Sequence, residues 1–243
     1  MRLQVEVTTR AREIPWREVL RPGRGIVYSL LSETAPELGA SLHDRGWGRY
    51  GMVPFGHSAP RFPAVRGRRG VYAAGGAGTV EFSSPLTEVA HALAAGLAGV
   101  RVLDWGGVAL QVGRVVPVFP PLFSDGSAVL RSVTPVVVKG PPGRDDDGKR
   151  VRSQRWLLPG EPEWDVYFVQ NLRRKAETLG LDPAVELESV TRVGPKRSFA
   201  VGAGAKVGAE VDVELSGPPT TLQALWSWGL GAATSAGFGA VLP

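Results

Sequence analysis

Two stretches of the chain hold residue types in patterns that could do chemistry. The first is GLGAATSAGFG, residues 229–239, in which Gly229-Leu-Gly231 and Gly237-Phe238-Gly239 flank a pentad that contains Ser235. Glycine takes positive φ and lets backbone approach a partner closely, and successive free N–H groups can grip phosphate oxygens. A single glycine pair would fit a tight helix-to-strand turn equally well. Two pairs around a small polar segment favour a loop that faces an anion. The second stretch is SLHDRGWGRY, residues 41–50, where His43 stands among Asp44, Arg45 and Arg49, with Tyr28 upstream. Imidazole moves protons near neutral pH. A tyrosine can order a hydroxyl, and an arginine can stabilise charge on a phosphorane.

Weaker signals have plainer readings beside the chemical ones. His57 (FGHSAP) fits a strand end or turn, and His91 fits a helix face. Trp47 and Trp105 lie in glycine-rich surroundings, where a tryptophan can stack on a base or fill a core. The loop with Arg61, Arg66, Arg68 and Arg69, and the stretch KRVRSQR at 149–155, read either as solvated surface or as phosphate-neutralising patches. Gly202, Gly204 and Gly208 imitate a dinucleotide fingerprint, but they lead into a strand and not a helix. There is no G-K-[ST] phosphate loop.

Composition narrows the function classes. The chain has 243 residues, 43% hydrophobic and 21% charged, which excludes wholesale disorder. Thirty-two glycines and 20 prolines call for many turns and short strands. No apolar run is long enough for a membrane-crossing helix, and the opening MRLQVEVTTR lacks the apolar core of a secretory signal. The absence of cysteine removes disulfides, thiolate metal sites and cysteine nucleophiles, and fits a reducing cytoplasm. With only three histidines, an imidazole-built zinc site is not expected, so no metal or cofactor is assigned. The net charge is +5, and 23 of the 28 basic residues are arginine. Arginine forks onto phosphate and stacks on bases, although GC-rich codon usage also produces an arginine excess.

The elements that must position these residues follow from periodicity. Leu3, Val5 and Val7 alternate with polar residues as in a half-buried strand. Ile26, Leu30 and Leu31, then Leu38 and Leu42, predict two short helices in series over 25–45, broken at Pro36. Strands are expected at 50–55, 79–82, 100–103 and 108–116, with a helix opening at Ser84-Pro85. Prolines in 117–128 mark a boundary. The same order then recurs: strand 130–138, polar loop PPGRDDDGKR, helix 162–179, strands 187–193 and 207–215, a helix from Pro218-Pro219, and a closing strand 238–242. The expected fold class is α+β, with two tandem ferredoxin-like (βαββαβ, RRM-like) domains at 1–120 and 128–243.

Taken together, these residues resemble a known family. The terminal GLGAATSAGFGAVLP resembles the C-terminal glycine-rich loop of RAMP-superfamily proteins. With YSLLSETAPELGASLHDRG near the start and two ferredoxin-like units, the chain resembles the CRISPR repeat-processing endoribonucleases, the Cas-six family, over nearly its whole length. The resemblance implies metal-independent cutting of CRISPR repeat RNA in a precursor transcript. The ribose 2′-OH attacks the neighbouring phosphate and leaves a 2′,3′-cyclic phosphate and a 5′-OH. It implies catalytic roles for His43, Tyr28 and Arg49, the last where relatives often carry lysine. Arginine stays charged, so only charge stabilisation is expected of it. RNA binding is expected of Gly229, Gly231, Ser235, Gly237, Phe238 and Gly239, and of Arg45, Arg66, Arg68 and Arg69. Other subunits of a CRISPR interference complex are further candidate partners, and no membrane is expected. The alternatives are a non-catalytic RAMP-type RNA-binding subunit and, more remotely, an unrelated ferredoxin-like metabolic enzyme.

Overall fold

Why the first strand lies at the centre of a sheet is written in its alternation. In β1 (Arg2–Thr9), Leu3, Val5 and Val7 are buried. The computed structural model describes residues 1–67, 69–144, 150–201 and 204–242. Arg68, residues 145–149 of the polar loop, and Gly202 lie outside the described residues. After β1 come a short β2 (Glu13–Ile14), α1 (Arg21–Thr34) and α2 (Pro36–Asp44). The helix break falls at Ala35, whose φ of −154° and ψ of 65° are not helical. The following proline disfavours the helical region at this residue. Then follow β3 (Gly56–His57), β4 (Tyr72–Ala73), β5 (Gly76–Ser83), α3 (Thr87–Gly99), β6 (Val102–Asp104) and β7 (Ala109–Val118). The antiparallel sheet runs β3-β5-β1-β7-β6. Counting β1, β3, β5 and β7 as the four strands of a βαββαβ unit, their order is 2-3-1-4, the ferredoxin-like arrangement.

The second half holds β8 (Ser127–Arg131), β9 (Val138–Arg144), β10 (Arg150–Leu157), α4 (Trp164–Thr178) and β11 (Glu186–Val193). It continues with β12 (Arg197–Val201), β13 (Gly204–Gly208), β14 (Val211–Ser216) and α5 (Pro219–Trp228), and ends with a 3-10 turn at Thr234–Ala236. Its sheet runs β11-β14-β8. A single bridge between Ser132 and Val241 is all that represents the fourth strand. The chain is therefore α+β, with two tandem ferredoxin-like domains. Two hairpins, β9/β10 and β12/β13, are inserted into the second unit.

Four expected strands are corrected, one of them 207–215, which is interrupted between the end of β13 at Gly208 and the start of β14 at Val211. Residues 50–55 form a turn closed by a Trp47–Met52 bridge, because Gly48 and Gly51 take φ of 61° and 58°. The strand at 130–138 is split: β8 ends at Arg131 and Pro135 has no N–H to carry the ladder on. The closing strand shrinks to its one bridge because Gly237 and Gly239, at φ of 87° and 63°, leave the extended region. The two halves interlock. Val137, Phe199 and Phe238 from the second half are buried in the first core. Arg2 is buried, donates to the carbonyls of Trp226 and Val241, and lies 3.9 Å above the Trp226 ring.

Candidate functional site

The Pro36 break lets α2 fold back beside α1, and this sets the first pair of groups. Tyr28 on α1 and His43 in the last turn of α2 meet edge to face, with ring centroids 5.2 Å apart. The His43 side chain is 63% exposed, and its Nδ1 lies 2.9 Å from the Asp44 carboxylate, which fixes the ring's orientation. The Tyr28 ring also packs edge-on to Phe55 at 5.4 Å. Burial pushes the Tyr28 phenol up, and the Arg24 guanidinium, 5.5 Å from the ring centre, pulls it the other way. The phenol oxygen is buried and has no hydrogen-bond partner of good geometry among the described residues. The pair thus joins an exposed imidazole to a half-buried tyrosine whose hydroxyl is covered.

Arg49 sits elsewhere. Its guanidinium donates to Glu177 on α4 and to the Tyr50 hydroxyl, both at 2.6 Å. Hydrogen bonds from Tyr50 and Arg49 hold the Glu177 carboxyl below its ordinary range. No hydrogen bond, ion pair or ring contact joins Arg49 to His43 or Tyr28 among the described residues. Arg49 instead ties the loop after α2 to the second half of the molecule.

The glycine-rich segment is a folded turn, not an open cradle. The N–H groups of Gly229, Leu230, Ala232, Gly237 and Gly239 are all donated to protein carbonyls. The glycines are needed for space and for positive φ: a β-carbon on Gly239 would overlap the Leu230 carbonyl. Those five N–H groups are therefore not free to grip a phosphate, whereas the N–H groups of Ala233, Thr234 and Ser235, in the pentad between the glycine pairs, donate to no carbonyl among the described residues. Phe238 is fully buried, 6.2 Å from the Phe199 ring, so its side chain does not face solution. The turn is pinned from below by Lys175 on α4, which donates to the Gly229 carbonyl at 2.6 Å. Burial pushes this ammonium down to about 7.

Beside the turn lies a groove of about 540 Å³, which brings together cations the sequence keeps far apart. Arg24 of α1, Lys139 of β9 and Lys206 of β13 line it with Trp156, and Ala233, Ser235 and Ala236 of the turn line it as well. The Lys206 ammonium lies 4.5 Å from the Trp156 ring centre. Burial and the neighbouring Lys139 both push Lys206 down. Such a groove suits a phosphate with a stacked base. Arg24 belongs to both places, since it lines the groove and covers Tyr28. The sequence reading missed Arg24, Lys139, Trp156 and Lys206. The only signal for Arg24 was its position one helical turn before Tyr28.

The other expected residues scatter. Arg45 is exposed and donates to Ser41, while Arg66 and Arg69 are exposed on the loop before β4. None of the three lines the groove. Arg61 is taken up by Glu81. Trp105 is fully buried and donates to the Val19 carbonyl, so it is core. His91 is exposed on α3.

Comparison with known proteins fits this arrangement. Residues 118–242, just over half of the chain, match the family model for the C-terminal part of the CRISPR-associated protein Cas6. Among solved structures, a RAMP protein described as binding different RNA substrates superposes with a TM-score of 0.82 at 15% identity, covering 99% of this chain and 98% of that one. A Cas6-related protein from Pyrococcus furiosus gives 0.80 at 14% identity, covering 100% and 97%. A Cas6 product complex gives 0.67 at 16% identity, covering 100% and 98%. No curated protein matches the chain.

Proposed function

The chain belongs to the Cas6 family of CRISPR-associated proteins, and from that membership we propose that it binds CRISPR repeat RNA and cuts the precursor transcript by 2′-OH attack. The observation that carries the reading is the exposed His43 ring set edge to face on Tyr28, joined through Arg24 to a cationic, tryptophan-bearing groove beside the glycine-rich turn. A solved Cas6 relative with bound product has the same fold.

In this scheme the groove holds the RNA backbone through Arg24, Lys139 and Lys206, with a base against Trp156. The scissile phosphate lies over His43 and Tyr28. The 2′-oxygen bonds to phosphorus as the bond to the 5′-oxygen breaks, giving the cyclic phosphate and a free 5′-OH. One proton leaves the 2′-OH and one arrives on the departing oxygen. His43 carries one of these transfers, and the limb of the pH–rate profile lost on its removal identifies which. Arg49 stabilises phosphorane charge only when the RNA phosphate draws it away from Glu177. No step calls on a metal.

The test uses a labelled repeat transcript. His43→Ala slows cleavage about 100- to 10,000-fold, the range of a general acid–base group, while affinity stays within about threefold. Cleavage persists in EDTA, and a 2′-deoxy substitution at the scissile site blocks cutting but not binding. Wild-type rates in His43→Ala, or strict dependence on added metal, overturn the mechanism. The engagement of Arg49 by Glu177, and the likeness to a RAMP protein described as binding RNA, favour a second reading. In that reading the chain holds RNA without cutting it, and the wild-type protein then binds the transcript and releases no product.

A further inference from the structure

His57 takes no part in the proposed chemistry, yet its surroundings are unusual. It lies in β3, 1% exposed, with its ring edge-on to Trp105 at 6.0 Å. Nδ1 lies 3.2 Å from the Ser58 carbonyl, and Nε2 has no hydrogen-bond partner. Leaving a buried ring nitrogen unpaired costs about 1–3 kcal/mol, so hydrogen bonding does not explain the residue. Two glycines face it. A β-carbon on Gly23, in the first turn of α1, would overlap Nδ1, and one on Gly237 would come within 2.5 Å of Cε1. Gly23 precedes Arg24 and Gly237 follows Ala236, and these neighbours both line the cationic groove, one from α1 and the other from the glycine-rich turn. The 3-10 turn at Thr234–Ala236 packs on both β3 and α1.

We infer that His57 is a positioning residue: its ring, wedged between Gly23 of α1 and Gly237 of the glycine-rich turn, sets the width of the groove between Arg24 and Ala236. Burial holds the imidazole down to about 4. It is therefore neutral across ordinary working pH, and the spacer neither charges nor swells. Gly23 and Gly237 are glycine for a shared reason: the ring fills the room a β-carbon would need. The consequence for RNA rests on the function proposed above, whereas the consequence for groove width does not.

The test exploits the absence of cysteine from the chain. Nitroxide labels on Arg24→Cys and Ala236→Cys report the distance between the two positions without RNA. In that background, Gly23→Ala pushes the ring and widens the groove by about 1 Å, the shortfall between the 2.3 Å a β-carbon would leave to Nδ1 and an ordinary contact of 3.4 Å. His57→Ala lets the two positions close by a similar amount, and combining the two restores the distance, because the new methyl occupies the vacated room. In unlabelled protein, each single change weakens repeat-RNA affinity about tenfold, and the pair returns to within about threefold, a non-additivity expected only of touching residues. His57→Asn replaces His57→Ala if the latter does not fold.

Affinity is read well below each variant's melting temperature. A merely structural role moves the melting temperature and leaves the label distance and the affinity of folded protein unchanged, which overturns the inference. Multiplicative losses in the double variant overturn it as well. A label distance that responds as described, in a protein whose wild type binds no repeat RNA, upholds the spacer and overturns the proposed function.

Discussion

The two halves share a topology and end differently. In the first, the chain after α3 forms β7, which pairs with β1 from Val118 opposite Arg2 to Gln111 opposite Thr8. In the second, the chain after α5 makes two isolated bridges among the described residues, Val137 to Ala232 within the turn and Ser132 to Val241 at the place of the fourth strand. Between α5 and the latter bridge lies the glycine-rich turn, with Gly229, Gly231, Gly237 and Gly239 all at positive φ. The same position in a βαββαβ unit therefore closes a sheet in one half and shapes a groove wall in the other. A strand satisfies its backbone through its neighbour. A turn at that place must find partners for its carbonyls and N–H groups elsewhere, and here Lys175, Val137 and Pro135 supply three of them. The Tyr28–His43 pair belongs to the half whose sheet is complete, and the groove is finished by the half whose sheet is not.

The sharpest way to break this contrast is to place a β-carbon at equivalent points of the two endings. Gly239→Ala forces an L-residue to φ of 63° and into the Leu230 carbonyl. It should lower stability by about 3 kcal/mol or more and abolish RNA binding by the folded fraction. Gly113→Ala, in β7, meets only ordinary contacts with Glu6 at 3.4 Å and beyond. It should change stability by no more than about 0.5 kcal/mol. Chemical denaturation and a binding titration check both, and equal effects would erase the distinction.

Lys175 supplies the next test, because the strand ending has no use for such a peg. Its folded pKa of about 7 lies below the ordinary 10.5. Between those values the unfolded chain binds the proton that the folded chain does not, so stability rises with pH across that window and levels off below it. Lys175→Met should flatten that rise and loosen RNA binding through the freed Gly229 carbonyl. An unchanged slope in denaturation curves from pH 7 to 10 would remove the buried ammonium from the account. The smallest effect is expected at the strap between the halves. Glu177→Gln breaks the pair with Arg49, whose side chain is 63% exposed, with little effect on stability, because water already screens the pair. The released Arg49 should raise the cleavage rate about two- to threefold. A fall in rate would show that Arg49 serves the fold and not the phosphate.

Much of this was legible along the chain because it depends on local rules. The alternation of Leu3, Val5 and Val7 is that of a half-buried strand, and Pro36 breaks the helix at Ala35. Tyr28 and His43 meet because α1 and α2 are short and joined by a single residue. The hairpins β9/β10 and β12/β13 were not legible. Their residues are glycine- and proline-rich, and their pairing depends on the sheet they leave and rejoin. Arg49 was read by its distance from His43 along the chain, but an acidic partner on α4 captures it.

By itself the sequence determined the alternation of strands and helices, the two short helices that carry Tyr28 and His43, and the glycine spacing, since each follows from side-chain periodicity or backbone freedom within a few residues. Only the tertiary structure decided that Arg24, Lys139, Trp156 and Lys206 share one groove, that the glycines shape the turn beside it, and that His57 lies against both Gly23 and Gly237. Those facts come from contacts between residues tens to hundreds of positions apart, which no local pattern encodes.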